Sequence, residues 1–580
     1  MGSNRFGTMV FASALVMASC SSSGTGQGTG SGGSQASGGS TSATGGSTAS
    51  GGASGGTPGG ATTGAGGAGP ATGGSAGHGT GTGGTQATGG TIGSGGAGGS
   101  GRGGSAGSGA TGRGGSAGAT ASTGGAGGAS TGSGGAAPSG VNVQLDKTRQ
   151  TIQGFGLNTA LGGGSFNWDN LFTTNGADGI GLSIVRVGMN SDGSLSGDVS
   201  GAKSRNVKII GSVWTAPASW KDNNSETKGG HLITSHYDEF ASRIATFAKN
   251  QGLYAMSAAN EPDFASCGSS IGPPCNGDYQ TMVYTANEMV NFVKVLGPKL
   301  KAVNVKLMAP EPSEWIHLWS NASATGSTVS SHVNSSDPLG CGCFSNTPTT
   351  TGCASKCATG SGYDYGHFLA KDATAWDAID IIATHEYDTQ KAEPWPADVD
   401  GGKRSKEVWE TEVSGVMYWP EQGPSSDIAN GIVTAGWIHS ALVVGEASAW
   451  LYWWYKPTGN DNEGIVLSSG GITKRYYTIG NFSKFVRPGY VMVDVAGNSN
   501  ANVLLSAYSG TDTTVIVAIN KSTSAVSMPI TITGGTAPAS CTPNVTSSTD
   551  NLKAGTAVTV TGGAFTAALG ASTVTTFVCK

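Results

Sequence analysis

Two short stretches carry carboxylates in settings suited to acid and base work. The apolar run LYAMSAANEPDF, residues 253–264, stops on Asn260, Glu261 and Pro262, and the run KEVWETEVSG carries Glu410 and Glu412. At the ends of other apolar runs stand Arg186, Trp214, Glu311, His385, Tyr387, Trp453 and Trp454. Two carboxyl groups can divide into a proton donor and an ionised partner when their surroundings push their pKa values apart. Aromatic faces mixed with an amide, an imidazole and a guanidinium suit a sugar ring, whose axial C–H faces are apolar and whose rim is hydroxyl. No serine or cysteine nucleophile motif and no HExxH occurs, and the eight histidines are scattered, so a metal-dependent hydrolase is disfavoured. The chemistry these residues suit is work on carbohydrate, with no cofactor and no metal.

The elements that must hold them alternate. Eight short apolar runs can be counted from about residue 151: QGFGLNT, GLSIVRVGM, VKIIGSVWTAP, LYAMSAANEP, NVKLMAPEP, IDIIATHEYD, KEVWETEVSG and ASAWLYWWY. Amphipathic segments lie between several of them. In SHYDEFASRIATFAKNQG, Ser235 and Asp238 have capping-box spacing, Phe240, Ile244, Phe247 and Ala248 share one face, and Gly252 stops the pattern. Strands alternating with helices predict parallel βαβ units, and eight of them predict a closed (β/α)8 barrel, an α/β fold of the TIM type. No GxGxxG follows the first strand, which weighs against a dinucleotide fold. In such a barrel the active site forms where the strands end, and those ends are where the residues above stand.

At these residues a family resemblance becomes specific. The stretches SAANEPDF and VWETEVSG resemble the acid/base and nucleophile motifs of retaining glycoside hydrolases of the clan A barrel type. More narrowly, QTIQGFG, VWTAPASWK, SAANEPDF, AWLYWWY and NFSKFVRPGY are similar in order and spacing to glycoside hydrolase family 30, nearest to its bacterial glucuronoxylanase and endo-xylanase group, from about residue 141 to the C-terminus. The resemblance implies Glu261 as acid/base and Glu412 as nucleophile. It places the nucleophile three residues after Trp409, although strand alternation would turn Glu410 and Glu412 to the same face and make Glu410 a neighbour nearer the barrel interior. It further implies that Asn260 bonds the sugar 2-hydroxyl, that His385 lines the donor subsite and that Tyr387 orients the nucleophile, while Trp214, Trp453 and Trp454 are read either as sugar platforms or as barrel core. Arg186 would be a strand-end cation fixing carboxylates, and Glu311 faces the rim without an assigned role.

The rest of the chain speaks of export. Residues 1–20 read as a signal segment, with Asn4 and Arg5 before a short apolar run, and VMASC resembles a lipobox that would make Cys20 the acylated N-terminus. Residues 21–138 are almost wholly Gly, Ser, Thr and Ala, a flexible linker whose reach would be on the order of 60 Å. Nine cysteines occur, and setting Cys20 aside leaves an even eight. In an oxidising compartment they are read as disulfides, Cys267 with Cys275 and Cys541 with Cys579, with two bridges of open connectivity among Cys341, Cys343, Cys353 and Cys357. A four-thiolate zinc site is the other reading of that last group. A net charge of −5 with no basic run disfavours nucleic acid. The expectation is therefore an extracellular or outer-membrane lipoprotein, monomeric, meeting the membrane through Cys20 alone, with a polysaccharide as its partner.

After residue 485 the pattern changes to short alternating strands, YVMVDVAG, NVLLSAYS, TTVIVAINK, SMPITIT and TVTTFVCK, read as an antiparallel β-sandwich over residues 486–580. The barrel is placed at residues 139–485, of which 139–150 are expected to supply a strand to the sandwich, as the resemblance implies. The resemblance also frames the substrate. Glucuronoxylan-specific members carry an arginine after WWY, where this chain has Lys456 and Pro457. Lysine offers a point charge and no bidentate fork, so an endo-acting retaining β-1,4-xylanase with weak glucuronate dependence is the first expectation. A β-1,6-glucanase or β-1,6-galactanase is the second, and a surface carbohydrate-binding protein with a degenerate barrel is the third. The retention of Glu261, Glu412 and Asn260 opposes that last reading.

Overall fold

The computed structural model describes residues 140–160, 165–227, 229–263, 280–319, 364–387, 392–414, 427–456 and 463–580. The signal segment with Cys20, the linker at 21–138, Pro457, and Cys267, Cys275, Cys341, Cys343, Cys353 and Cys357 lie outside the described residues.

The chain begins with β1 (Val141–Thr151) and then lays down β2 (Gly154–Asn158), β3 (Ile184–Met189), a two-residue β4 (Leu195–Ser196), β5 (Lys208–Val213), β6 (Ala255–Ser257), β7 (Lys306–Pro310), β8 (Ile381–His385), β9 (Glu407–Val413) and β10 (Ala449–Trp454). Strands β2, β10, β9, β8, β7, β6, β5 and β3 pair in that order, all parallel, and β2 pairs with β3 to close the ring. This is the expected eight-stranded barrel, and each strand falls within one of the eight apolar runs. β4 is a short antiparallel addition to the end of β3.

The runs are nearly continuously apolar because both faces of each strand are buried. One set, Ile184, Ile210, Ala255, Met308, Ile381, Ala383, Trp409, Ala449 and Leu451, comes from seven strands and forms a cluster of its own, the packed barrel interior. The alternate residues join a larger cluster with the surrounding helices, chiefly α1 (Tyr237–Gln251), α2 (Ala286–Ala302), α3 (Ile428–Val443) and α4 (Lys474–Ser483). Helix α1 buries Phe240, Ile244, Phe247 and Ala248 and ends at Gly252 in the left-handed conformation, φ 68°. Its N-terminus differs from expectation: a 3-10 turn, Thr234–His236, leads straight into it and no side chain caps it. The reciprocal capping box sits at α2, between Thr285 and Glu288.

Beyond α4 follow β11 (Val491–Ala496), β12 (Val503–Ser509), β13 (Thr514–Asn520), β14 (Val526–Thr533), β15 (Ser540–Thr546), β16 (Lys553–Ala554), β17 (Val558–Thr559), β18 (Ala564–Leu569) and β19 (Thr573–Cys579). With β1 they make one ten-stranded sheet, ordered β16-β15-β19-β13-β12-β11-β1-β14-β18, with β17 beside β15. A single apolar cluster draws on all eight of its longer strands, so the sheet encloses a core of its own. Its one departure from antiparallel pairing is β1 with β14. That pair joins a strand from before the barrel to one from after it, which no local hairpin pattern reveals. Cys541 and Cys579 face one another on β15 and β19 and form a disulfide.

Candidate active site

The chemistry-bearing side chains converge at the C-terminal ends of the barrel strands. Glu261 lies beyond the end of β6 and Glu311 just past β7, and both adopt left-handed backbone, φ 46° and φ 64°. Such a conformation costs about 1–3 kcal/mol for a residue with a Cβ and persists only where its surroundings fix it. Here they do: the Glu261 N–H donates to the Glu311 carbonyl at 3.0 Å, the Glu311 N–H to the Ala383 carbonyl at 2.9 Å, and the Asn260 N–H to the Val213 carbonyl at 2.8 Å. The turn after Glu261 is tied down again by Asp263, which accepts from the Ser313 N–H and hydroxyl and lies 2.5 Å from His317 Nδ1.

Arg186, fully buried on β3, is the hub. Its Nε donates to Ser212 Oγ at 3.0 Å and to Glu311 Oε1 at 3.1 Å. Its Nη1 donates to Glu412 Oε2 at 2.5 Å and its Nη2 to Asn260 Oδ1 at 2.5 Å. Ser212 also donates to Glu311 Oε2 at 2.6 Å. Burial opposes ionisation of Glu311, but Arg186 and the bonds from His385 and Ser212 outweigh it and hold its carboxyl at about 2. Glu311, without a role from the sequence, is thus the fixed counter-ion of Arg186.

His385 sits among three carboxylates. Its Nδ1 is 3.2 Å from Glu261 Oε1, and its Nε2 is 3.7 Å from Glu311 Oε1 and 3.8 Å from Glu412 Oε2. Burial would lower its pKa, yet Glu412, Glu261 and Glu311 together push it up to about 10. Glu261 moves the other way from an ordinary carboxylate: burial pushes it up to about 7, the bond from His385 pulls against this, and the charge of Glu412 adds to it. Carboxylate oxygens of Glu261 and Glu412 lie within 4.8 Å of one another, with a His385 ring nitrogen in the same group. These are also three potential metal ligands, but Arg186 already lodges a fixed positive charge on Glu412, and its Nη2 is 3.5 Å from His385 Nε2.

Tyr387 donates to Glu412 Oε1 at 2.8 Å, and its hydroxyl lies 3.3 Å from Ser414 Oγ, which in turn donates to Glu463. Glu412 is thereby held at both oxygens. The three tryptophans form one cluster with Ala160, Trp214 meeting Trp453 edge to face at 6.1 Å and Arg186 lying over the Trp214 ring at 5.4 Å. Their exposures of 4%, 4% and 5% make them walls and not open platforms for Trp214, Trp453 and Trp454 respectively.

Glu410 is where strand alternation misleads. The pairing of β8 with β9 shifts between Thr384/Glu410 and His385/Glu412, so β9 carries a bulge. Trp409 points into the barrel interior, Glu410 to the opposite side, and the extra residue returns Glu412 to the mouth. Glu410 is therefore no neighbour on the cavity face. Ser212, Asp263, Ser414 and Glu463 were also unmarked in the sequence; Asp263 alone carried a signal, its place directly after the Asn-Glu-Pro turn.

No family model matches the sequence. The chain is 30% identical over 460 residues to glucuronoxylanase XynC of Bacillus subtilis (strain 168), spanning 76% of this chain and 92% of that protein. Among solved structures it is similar to a GH30 endoxylanase from Clostridium papyrosolvens C71, 28% identical with a TM-score of 0.55, covering 76% of this chain and 100% of the other. It is similar also to Xyn30A of Clostridium acetobutylicum, a glycoside hydrolase family 30 subfamily 8 xylanase, at 25% identity and a TM-score of 0.58 over 76% of this chain and 100% of that one. An endo-β1,6-glucanase at 18% identity, with a TM-score of 0.51, shares the fold.

Proposed function

Since the chain belongs to glycoside hydrolase family 30, in its xylanase-like group, and is a glycoside hydrolase, we propose that it cuts the β-1,4-linked backbone of xylan internally, with retention at the anomeric carbon. The observation that carries the mechanism is that a carboxylate oxygen of Glu261 and one of Glu412 lie within 4.8 Å of each other. Retaining enzymes hold their carboxyl groups about 5–5.5 Å apart, whereas inversion needs about 6.5–9.5 Å to admit a water between.

In the first step Glu412 attacks the anomeric carbon. The glycosidic C–O bond breaks as the leaving oxygen takes the proton of Glu261, and a glycosyl ester on Glu412 remains. Arg186 and Tyr387 fix the two Glu412 oxygens, each of which keeps a further lone pair. Ester formation removes the charge that helps hold the Glu261 pKa up, so Glu261, its proton given away, stays ionised and free to accept another. In the second step it takes a proton from water, whose oxygen bonds the anomeric carbon as the ester bond breaks. Asn260, its amide oxygen held by Arg186, offers its N–H2 group to the sugar 2-hydroxyl, a bond that strengthens as positive charge develops on the ring.

The relatives named as xylanases support xylan as the substrate class. Lys456 after β10 supports weak dependence on glucuronate, because an ammonium cannot grip a carboxylate bidentately. Export, acylation at Cys20 and a monomeric state belong to this proposal on the strength of the sequence; radiolabelled palmitate incorporation lost in C20A tests the acylation.

The activity test incubates the purified protein and E412Q with glucuronoxylan, arabinoxylan, linear xylan, β-1,6-glucan and β-1,6-galactan, with products identified by mass. Ladders of xylo-oligosaccharides from linear xylan, absent with E412Q, are expected. Cleavage of a β-1,6-glycan alone would overturn the xylan assignment, and binding without cleavage would overturn catalysis.

A further inference from the structure

Behind the catalytic face, two carboxyl groups that the mechanism does not use are fully buried. Glu410 on β9 and Glu386, the residue after β8, have no exposed surface. The two glutamates hold opposite ends of the same residue. Glu410 Oε1 accepts the backbone N–H of Glu412 at 3.0 Å, and the Glu386 N–H donates to the Glu412 carbonyl at 3.2 Å. Glu410 Oε2 reaches across to accept the Leu451 N–H from β10 at 3.3 Å.

This geometry answers a need created by the bulge. Pairing between β9 and β10 is interrupted between Trp450/Glu410 and Tyr452/Val413, and that between β8 and β9 is interrupted at the same place. An extra residue in one strand leaves backbone groups without their ladder partner, and a buried N–H left unbonded is costly. The Glu410 carboxyl stands in for the missing carbonyls on both sides. We propose that Glu410 is a positioning residue for the nucleophile, its carboxyl bridging the amides of Glu412 and Leu451 to lock the bulge that turns Glu412 to the barrel mouth.

A charge there would be out of place. Both Glu386 oxygens are buried, and the groups bearing on that carboxyl are Glu410, Trp450 and Ser440. Those bearing on Glu410 are His385, Glu412 and the two amides. Burial drives both carboxyls well above the ordinary carboxylate range. A protonated Glu410 carboxyl still accepts at both oxygens and leaves the charge of Glu412 undisturbed.

This inference rests on Glu412 as nucleophile, and its test keeps the two apart. Kinetics on xylan would be measured for the parent, E412Q, E410Q, E410M and E386Q, each first checked for cooperative thermal unfolding. Glutamine keeps an acceptor for the Glu412 amide and sets an N–H2 against Leu451, whereas methionine keeps the volume and removes both acceptors. Expected is a kcat loss of about ten- to hundredfold for E410M, a smaller one for E410Q, KM within about twofold for both, and E386Q close to the parent. A folded E410M with parental kcat, while E412Q is inactive, would overturn the positioning role and leave the nucleophile assignment standing. Parental activity in E412Q would overturn that assignment itself.

Discussion

Single groups here are tuned by what surrounds them more than by what they are. Glu261 and Glu311 are both buried glutamates at strand ends, yet one is pushed up to about 7 and the other held at about 2. The difference is Arg186, whose guanidinium bonds Glu311 directly and leaves Glu261 to a histidine. In the proposed mechanism Glu261 must be protonated to assist the leaving oxygen, so kcat/KM is expected to fall about tenfold per pH unit above about 7. In E261Q activity on xylan should drop by roughly 10²–10⁴ and that alkaline limb should vanish. A profile unchanged up to pH 9 would contradict the role. Glu261 and Glu412, which the structure brings to one barrel mouth, stand out in the sequence because each sits in a short motif at the end of an apolar run. Glu463 did not, since it reaches Ser414, and only through it Tyr387, from a loop with no periodicity to announce its direction.

Among the elements, one guanidinium joins five strands. Arg186 on β3 binds Ser212 on β5, Glu311 after β7 and Glu412 on β9, and adds Asn260 beyond β6. Removing one partner of such a buried cluster leaves charge uncompensated, so E311Q should cost about 3–5 kcal/mol, read by denaturant unfolding at neutral pH. The sign with pH follows from a depressed carboxylate. The contribution of Glu311 is fully present above its ordinary value of 4.5 and is lost as pH falls toward 2, so the gap between E311Q and the parent should narrow below pH 4.5. A gap that widened with acid would contradict this pairing. All eight barrel strands could be read in advance because strands buried on both faces are apolar throughout. The bulge in β9 could not, because a period of two carries no mark of one inserted residue, and this is why Glu410 turns to the side opposite the one alternation assigns.

Across the whole molecule, the ten-stranded sheet and the barrel are laced into each other. β1 precedes the barrel in sequence yet lies between β11 and β14, which follow it. Asn481 on α4 donates to the Asn544 carbonyl and to Thr576 Oγ1, and Ile152 and Tyr490 join through backbone at 2.7 Å. A chain ending at residue 485 strips β1 of both neighbours and opens the second core, so it should fail to give soluble, cooperatively unfolding protein; native-like melting would show that the barrel stands alone. What the barrel mouth does to the glycosidic bond is read by proton NMR of the first products released from linear β-1,4-xylan, before mutarotation mixes the anomers. Retention through an ester on Glu412 requires the β-anomer to appear first, and an α-anomer appearing first would mean inversion and contradict the double displacement.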